Sequence, residues 1–356
     1  MVVKQLAKLI LEDGSVFQGN LFGDKKTATG EVVFNTGMVG YPESLTDASY
    51  HGQILVLTYP LIGNYGVPGY EEEGGLLKYF ESDKIRAQGL IISQYSDAHS
   101  HWNAKKSLSE WMKEWNIPGI YGIDTRQLTK KLREKGTMLG KIVFNKKNTL
   151  FEDPNKRNLV AEVSITEPIV YKKGRTKIAL IDCGTRYSII RAFLKRNVTV
   201  IRVPCDYDVV REKVNGIVIS NGPGDPRLCS ETIDNVKRAL SKNIPILGIC
   251  LGSQILGIAA GAQTYKLKYG HRSHNQPCVE AGTKRCYITP QNHGYAIDSD
   301  TLPEDWRVWF YNNNDHTNEG IIHVSKPLFG TQFHPEASPG PDDTQFLFDV
   351  FLRSMG

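Results

Sequence analysis

A cysteine between two glycines is the feature of this chain that most directly predicts chemistry. The sequence Gly-Ile-Cys-Leu-Gly occupies positions 248–252, after an apolar run at 244–249 and before a helix-like stretch at 254–262. Such a strand-to-helix turn is typical of a nucleophile elbow, in which glycines let the backbone pass closely and the thiol points away from the sheet. The alternative is a buried structural cysteine, because free cysteine is among the most buried residue types. Cys250 is therefore a candidate nucleophile that needs a base.

A histidine and a carboxylate two residues apart provide the missing groups. The sequence Gln-Phe-His-Pro-Glu occupies 332–336, and residues two apart in an extended segment point to the same face. His334 and Glu336 then fit the roles of base and orienting group beside a cysteine nucleophile. A lone His-Pro-Glu is more often a surface turn. In combination with Cys250, we favour a catalytic Cys-His-Glu triad.

A glycine- and proline-rich loop is the third candidate part of the site. Residues 217–220 form an apolar, strand-like run that leads into Asn-Gly-Pro-Gly-Asp-Pro at 221–226. Loops at the carboxyl ends of parallel strands are where doubly wound sheets bind ligands, and their N–H groups can stabilise an oxyanion. Without Cys250, an ordinary tight connection would be the preferred interpretation.

Strand-like and helix-like segments alternate through the second half of the chain. Strand-like segments lie at 178–182, 198–203, 216–220 and 244–249, and helix-like segments at 187–196, 231–241 and 254–262. This alternation predicts an α/β fold with a doubly wound, mostly parallel sheet. Residues 306–333 predict a β-ribbon, and residues 342–355 predict a closing helix.

The first half of the chain has a different pattern. Short strand-like runs are broken by turn signals, with a hairpin at Asp13-Gly14 and helices at 107–115 and 125–134, which predicts a smaller mixed α+β domain. The stretch at 145–177 is polar and loses periodicity, so we place the linker there. The predicted organisation is an amino-terminal domain at 1–150, a linker at 151–176 and a carboxyl-terminal domain at 177–356.

Composition predicts a cytoplasmic protein without a nucleic-acid or membrane partner. The 43 basic and 38 acidic residues are interspersed and give a net charge of only +5, too weak for either partner. Six cysteines without a C-x-x-C pair predict a reducing compartment. Nine scattered histidines predict no metal site, and the brief apolar run near the start argues against a signal peptide.

Three segments together resemble the signatures of the class I, or triad, glutamine amidotransferases. They are residues 220–226, 248–254 and 332–336, in the order and at the separation of that family. Further segments resemble the amino-terminal domain of the carbamoyl-phosphate synthetase small subunit, which other triad amidotransferases lack. They lie at 9–14, 30–37, 40–43, 45–47, 63–66 and 122–126. The resemblance covers essentially the whole chain, and also suits the amidotransferase segment of fused animal carbamoyl-phosphate synthetases.

The resemblance implies that this chain is a glutaminase, and it implies which residues form the site. Cys250 would attack the glutamine side-chain amide, His334 would carry protons and Glu336 would orient it. The matching positions for glutamine binding are Ser49, Gly222, Gly224, Leu251, Gln254, Asn292, Gly294 and Tyr295. Backbone N–H groups of Leu251 and Gly224 would hold the oxyanion, and Ser49 would bring the amino-terminal domain to the active site.

The same resemblance implies a synthetase partner. Ammonia would pass along an interior path to a carbamoyl-phosphate synthetase large subunit or domain, which would use ATP, magnesium and bicarbonate. We expect no cofactor in this chain, because its faint phosphate-loop pattern at 136–141 is short and Ile142 stands where a Ser or Thr would hold magnesium. Whether the product serves pyrimidine or arginine synthesis, and whether this is a free subunit or part of a fused chain, stays open.

Three positions depart from the family pattern, and two rival functions remain. Ser253 stands where relatives commonly carry histidine, Tyr295 replaces a frequent phenylalanine, and Ser273 replaces a usual glycine and would be strained if its φ were positive. A pseudoenzyme or regulatory subunit is one rival, although the retained triad argues against it. A different amidotransferase or a cysteine hydrolase on the same sheet is the other.

Overall fold

The computed structural model describes residues 5–144 and 149–356. Residues 1–4 and 145–148, which belong to the predicted amino-terminal domain and include the start of the predicted polar stretch, lie outside this description. The chain divides after Lys156 into two compact units. Residues 157–176, predicted as linker, contribute a short helix and a strand to the second unit. The boundaries of 1–150, 151–176 and 177–356 stay predictions.

The first unit is built mainly from short strands. Its helices are α1 (Tyr41–Thr46), α2 (Leu108–Glu114) and α3 (Thr125–Lys135), and its strands are β1 (Leu6–Leu11), β2 (Val16–Gly23), β3 (Ala28–Asn35), β4 (Gln53–Leu57), β5 (Leu61–Ile62), β6 (Val67–Pro68), β7 (Glu72–Glu73), β8 (Leu76–Leu77), β9 (Gly89–Ile91), β10 (Gln94–Tyr95), β11 (Ala104–Lys106), β12 (Pro118–Tyr121) and β13 (Met138–Val143). Seven of these strands form a closed barrel in the order β1-β13-β3-β4-β9-β12-β2. Closure protects all seven from exposing an unpaired edge.

Local sequence signals set the elements of this unit. In β1, Ala7, Leu9 and Leu11 are buried and alternate with outward residues, as one buried face requires. The hairpin predicted at Asp13-Gly14 is confirmed, because β1 and β2 pair antiparallel on either side of it. Both predicted helices are confirmed, and α2 begins with a capping box between Ser107 and Glu110.

The second unit contains one ten-stranded sheet. Its helices are α4 (Leu159–Val163), α5 (Tyr187–Lys195), α6 (Ser230–Leu240), α7 (Leu251–Ala260) and α8 (Phe346–Arg353), and its strands are β14 (Ile169–Tyr171), β15 (Lys177–Asp182), β16 (Thr199–Pro204), β17 (Gly216–Ile219), β18 (Ile246–Ile249), β19 (Thr264–Glu280), β20 (Cys286–Ile297), β21 (Trp306–Asn312), β22 (Asn318–His323) and β23 (Leu328–Thr331). The sheet order is β14-β16-β15-β17-β18-β23-β22-β21-β19-β20. The predicted α/β fold is confirmed.

Five neighbouring strands of this sheet are parallel and position the functional site. They are β16, β15, β17, β18 and β23, and apolar residues such as Leu180, Val218 and Leu247 are fully or almost fully buried in them. The predicted ribbon at 306–333 contributes β21 and β22, while its last strand, β23, also runs parallel beside β18. The carboxyl ends of β17, β18 and β23 therefore meet at one edge, where the three candidate segments begin.

The described helices are short. Among residues 5–144 and 149–356, none of them is long and apolar enough to cross a membrane.

Candidate active site

The backbone at Cys250 forms a strained turn between β18 and α7. Cys250 has φ 55° and ψ −109°, a conformation that non-glycine residues rarely adopt. A Cβ atom at Gly252 would lie 2.1 Å from the carbonyl oxygen of Ile219, and one at Gly248 would lie 2.5 Å from the carbonyl oxygen of Gly252. Both glycines are therefore required by close backbone packing, as the sequence predicts for an elbow.

The histidine and the carboxylate lie beyond the end of the neighbouring strand. His334 Nδ1 is 2.6 Å from Glu336 Oε1, and both residues are buried. The expectation of an extended segment here is wrong, since residues 335–336 form a turn in which the N–H of Ala337 donates to the carbonyl oxygen of His334. Pro335 favours such a turn. The turn, and not strand alternation, brings the two side chains together.

The charge on the imidazole of His334 depends on its buried neighbours. Burial lowers the pKa of His334, but the Glu336 carboxylate and then the Cys250 sulfur outweigh it and raise the pKa to about 10. His334 Nε2 is buried and forms no hydrogen bond within the part of the chain that the structure describes. A charged imidazole with a free N–H beside a cysteine can release that proton to a leaving group.

Arg186 is a functional residue that sequence reasoning missed. It lies at the start of α5, only 4% exposed, and its Nη1 is 3.2 Å from Glu336 Oε1. The same guanidinium also contacts the carbonyl oxygen of Ser338. Its charge lowers the pKa of His334 and so opposes Glu336. No separate signal in the sequence pointed to it, because an arginine shortly after the apolar residues 178–181 of β15 is ordinary until the fold buries it beside a carboxylate.

Seven of the eight predicted glutamine-binding residues lie in the second unit. Gly222 and Gly224 follow β17, Leu251 and Gln254 begin α7, and Asn292, Gly294 and Tyr295 lie on β20. Several of them meet at the elbow: Cys250 Sγ is 3.6 Å from the carbonyl oxygen of Asn292, and Gln254 Nε2 donates to the carbonyl oxygen of Tyr295 at 2.7 Å.

Backbone geometry explains the glycines and the oxyanion donors. A Cβ atom at Gly222 would lie 2.1 Å from the carbonyl oxygen of Cys183, and Gly224 has φ +86°. Leu251 is the first residue of α7, so its N–H has no partner within the helix. Such an N–H can point at a bound anion.

Ser49 belongs to the first unit. It is buried in the turn after α1, where its N–H donates to Asp47 Oδ1 at 3.0 Å. Its part in glutamine binding stays a prediction.

The three departures from the family pattern have different surroundings. Ser253 is fully buried in α7, where a Cβ atom at Gly330 would lie 2.4 Å from its Oγ. Ser273 lies in β19 and is not among the described non-glycine residues with positive φ, so the expected condition for strain is not met. Tyr295 is buried and takes part in the site through its carbonyl oxygen.

A second buried cluster lies between β19, β20 and β22. His271, His293 and Glu319 each bring a possible metal ligand within 4.8 Å of the others. Both ring nitrogens of His271 face carboxylates, with Nδ1 3.1 Å from Glu319 and Nε2 2.8 Å from Asp315. Both nitrogens must then carry protons, and a protonated nitrogen has no lone pair for a metal. The cluster is best described as an ion pair that joins β19 to β22, and the expected absence of a metal site stays a prediction.

The ion pair predicts a pH-dependent stability. Burial lowers the pKa of His271, but hydrogen bonds to Asp315 and Glu319 outweigh it and raise the pKa to about 9. The stabilisation is therefore fully present below the unfolded pKa of about 6.5 and is lost as pH rises through about 9, a change of about 3 kcal/mol. Urea unfolding of the parent protein and of His271→Gln should show the difference between them shrinking from pH 7 to pH 10. His316→Asn, at an exposed position nearby, is the control, and a pH-independent difference for His271→Gln would contradict the prediction.

Gly252, two residues after Cys250, allows a steric test of the elbow. Gly252→Ala should lower the free energy of unfolding by about 3 kcal/mol or more, because the new Cβ meets backbone atoms that cannot retreat. Gly282→Ala is the control, since a Cβ there has nothing within 4 Å and only its positive φ costs about 1 kcal/mol. Equal losses in chemical unfolding would mean that the elbow is not closely packed.

Two family models match the chain. Residues 179–354 match the model for glutamine amidotransferase class-I. Residues 9–142 match the model for the carbamoyl-phosphate synthase small chain, CPSase domain. The first match contains the elbow and the His334 turn, and the second contains Ser49.

Curated relatives are similar over nearly the whole of this chain. The multifunctional protein CAD of Squalus acanthias is 58% identical over 355 residues, which cover 98% of this chain and 16% of that protein. The mitochondrial carbamoyl-phosphate synthase (ammonia) of Homo sapiens is 49% identical over 356 residues, which cover 99% of this chain and 24% of that protein. The chain thus spans about a quarter or less of the length of these relatives. A solved glutamine amidotransferase from Thermotoga maritima is 22% identical with a TM-score of 0.38, covering 45% of this chain and 76% of its own.

Proposed function

Because the chain belongs to the class I glutamine amidotransferases and carries the small-chain domain of carbamoyl-phosphate synthase, we propose that it hydrolyses glutamine and delivers ammonia to a carbamoyl-phosphate synthetase subunit or domain. The observation that carries this proposal is the strained Cys250 turn on the strand next to the hydrogen-bonded pair of His334 and Glu336. A purely structural cysteine would need neither the strain nor the buried pair.

The first half of the reaction forms a thioester. The Cys250 thiolate attacks the side-chain amide carbon of glutamine, and the carbonyl oxygen becomes an oxyanion held by the N–H groups of Leu251 and Gly224. The carbon–nitrogen bond then breaks, and His334 gives its Nε2 proton to the departing nitrogen, which leaves as ammonia. Glu336 keeps the His334 ring in place and stabilises its charged form through the 2.6 Å contact with Nδ1.

The second half releases glutamate. The now neutral His334 takes a proton from water, whose oxygen attacks the thioester carbon. The carbon–sulfur bond breaks, glutamate leaves and the thiolate and the charged imidazole are restored. The raised pKa of His334 suits the resting state, in which the proton must already be present before glutamine is cleaved.

The glutamine site in this proposal has eight residues, seven from the second unit and Ser49 from the first. We propose that Gly222, Gly224, Leu251, Gln254, Asn292, Gly294 and Tyr295 hold the substrate together with Ser49. Support comes from the contact of Asn292 with Cys250 and from the hydrogen bond between Gln254 and Tyr295. The Gln254 side-chain oxygen can accept from the substrate ammonium group.

The destination of the ammonia is proposed from the relatives. These relatives are the multifunctional protein CAD and the carbamoyl-phosphate synthase (ammonia), and this chain matches only 16% and 24% of their lengths. We propose that a synthetase partner binds ATP, magnesium and bicarbonate, that this chain holds no cofactor, and that the product enters pyrimidine synthesis, arginine synthesis or both. We also propose a cytoplasmic location without nucleic-acid or membrane partners, in keeping with the weak, interspersed charge.

One rival function has specific support. The human relative is named for ammonia, so a chain of this kind could serve a synthetase that takes free ammonia without hydrolysing glutamine. The buried pair of His334 and Glu336 beside Cys250 favours hydrolysis, because the use of free ammonia needs neither a nucleophile nor a proton carrier in this chain. Glutaminase activity of the chain, measured with and without a synthetase partner, separates the two.

The nucleophile can be tested by removing its sulfur. Cys250→Ser should lower glutamine hydrolysis by several orders of magnitude, because an alkoxide is far harder to form than a thiolate. The assembled enzyme should still make carbamoyl phosphate from ammonium salts. Cys286→Ser is the matched control, since Cys286 is exposed and has no part in the mechanism. Glutamine-dependent turnover near the parent rate in Cys250→Ser would exclude this cysteine as nucleophile.

The roles proposed for His334 and Glu336 predict which of two substitutions lowers kcat more. His334→Asn should reduce kcat about tenfold or more beyond the reduction in Glu336→Gln, because the glutamine side chain can still position the imidazole while asparagine carries no transferable proton. Steady-state glutaminase kinetics on both variants, with circular dichroism to check folding, provide the comparison. A greater loss in Glu336→Gln would reverse the assigned roles.

A further inference from the structure

The side chain of Gln332 lies against the proposed nucleophile. Its Nε2 is 3.7 Å from Cys250 Sγ, within hydrogen-bonding range for sulfur, and Gln332 is only 1% exposed. Gln332 belongs neither to the triad nor to the eight glutamine-binding positions. It follows β23 directly, two residues before His334.

A chain of hydrogen bonds fixes which end of the Gln332 amide faces the sulfur. The carbonyl oxygen of Tyr295 can only accept, so the group 2.7 Å away is the NH₂ of Gln254. The second proton of that NH₂ points to the Gln332 side chain at 2.9 Å, which must therefore present its oxygen. The Gln332 NH₂ group is then directed at Cys250 Sγ.

The backbone of Gln332 is held as firmly as its side chain. Its N–H donates to the carbonyl oxygen of Glu319 at 2.9 Å, and Glu319 is fully buried on β22. The backbone bond fixes the position from which the side chain extends, and the side-chain amide cannot rotate away from the sulfur without breaking its buried hydrogen bond with Gln254.

Two polar contacts on the sulfur favour opposite protonation states. The carbonyl oxygen of Asn292, 3.6 Å from Sγ, can only accept and so favours the thiol with its proton. The Gln332 N–H can only donate and so favours the thiolate. A hydrogen bond to a charged acceptor is stronger than one to a neutral acceptor. The Gln332 N–H therefore stabilises the thiolate of Cys250 more than it stabilises the thiol.

We propose that Gln332 is a further catalytic residue, whose side-chain amide donates to the Cys250 thiolate and stabilises it for attack. The same amide connects the sulfur to Gln254 and Tyr295, so that the nucleophile and the glutamine site form one hydrogen-bonded unit. This inference rests on the proposed function, in which the thiolate of Cys250 is the nucleophile.

The test measures the reactivity of Cys250 itself. Iodoacetamide alkylation is followed against pH in the full chain, on the peptide containing Cys250, because the chain has six cysteines. In Gln332→Met, which keeps the bulk and loses the donor, the midpoint of the alkylation profile should rise by about one pH unit and the rate at pH 7 should fall about tenfold. Glutaminase kcat should fall in the same variant.

A second variant separates the loss of the hydrogen-bond donor from a loss of packing. In Gln332→Glu the side chain keeps its shape and can still accept from Gln254, but presents an oxygen to the sulfur in place of a donor. Its alkylation midpoint should rise further than that of Gln332→Met, since a carboxylate repels the thiolate. Thermal unfolding of both variants checks that they are folded.

Gln291→Met is the matched control. Gln291 is also a buried amide that donates to a cysteine, with Nε2 3.2 Å from Cys278 Sγ, but this cysteine has no part in the mechanism. The variant should lose stability while the alkylation midpoint of Cys250 stays at the parent value. An equal shift in Gln291→Met would show a general packing effect and overturn the inference.

Failure of this inference and of the proposed function are distinguishable. An active parent glutaminase with an unshifted Cys250 midpoint in folded Gln332→Met and Gln332→Glu overturns the role of Gln332 alone. A parent chain without glutaminase activity, in which both midpoints shift as expected, overturns the proposed function while the stabilisation of the thiolate by Gln332 stands.

Discussion

The left-handed turn at Cys250 is the constraint on which the rest of the site depends. A conformation of this kind at a non-glycine residue costs on the order of 1 to 3 kcal/mol, and the surrounding backbone must hold it. Close packing at Gly248 and Gly252 does so from two sides, and the N–H of Cys250 donates to the carbonyl oxygen of Thr331 at 2.7 Å. That hydrogen bond joins β18 to the end of β23. The interaction that holds the turn therefore also sets the spacing between Cys250 and the segment carrying His334.

Buried charges of both signs contact one another near this turn. Glu336 lies between the His334 imidazole and the Arg186 guanidinium, and all three side chains are almost fully buried. Taking Glu336 away would leave the two positive charges without their shared partner, which is strongly unfavourable in a buried site. The pair of His271 and Glu319 follows the same principle at the antiparallel side of the sheet. Fixed charges and amides thus replace water around the sulfur, an arrangement suited to stabilising charge that develops during a reaction.

Local patterns in the sequence were enough for much of the fold and for the outline of the site. The alternation of apolar strands with helices predicted the α/β sheet, and the patterns at Asp13-Gly14 and at 107–115 predicted a hairpin and a helix that the structure contains. The glycines around Cys250 predicted an elbow because only a residue without Cβ tolerates backbone atoms at 2.1 Å. Such features follow from the conformational needs of a few adjacent residues, so they can be read without knowledge of distant contacts. The closed barrel of the first unit could not be read this way, since closure depends on pairing between strands far apart in the chain.

Only the tertiary structure decided which distant groups share the site. The sequence placed His334 and Glu336 on an extended segment, but the strand β23 ends at Thr331 and a turn brings the two side chains together. Arg186 and Gln332 gave no separate signal, because an arginine or a glutamine is ordinary until the fold buries it beside a carboxylate or a thiol. The sequence by itself determined the reactive residue types and the local turns that present them. The parallel order of β15, β17, β18 and β23 decided which of these residues lie next to one another. Hydrogen-bonded pairing of strands that are remote in the sequence is a property of the folded chain alone.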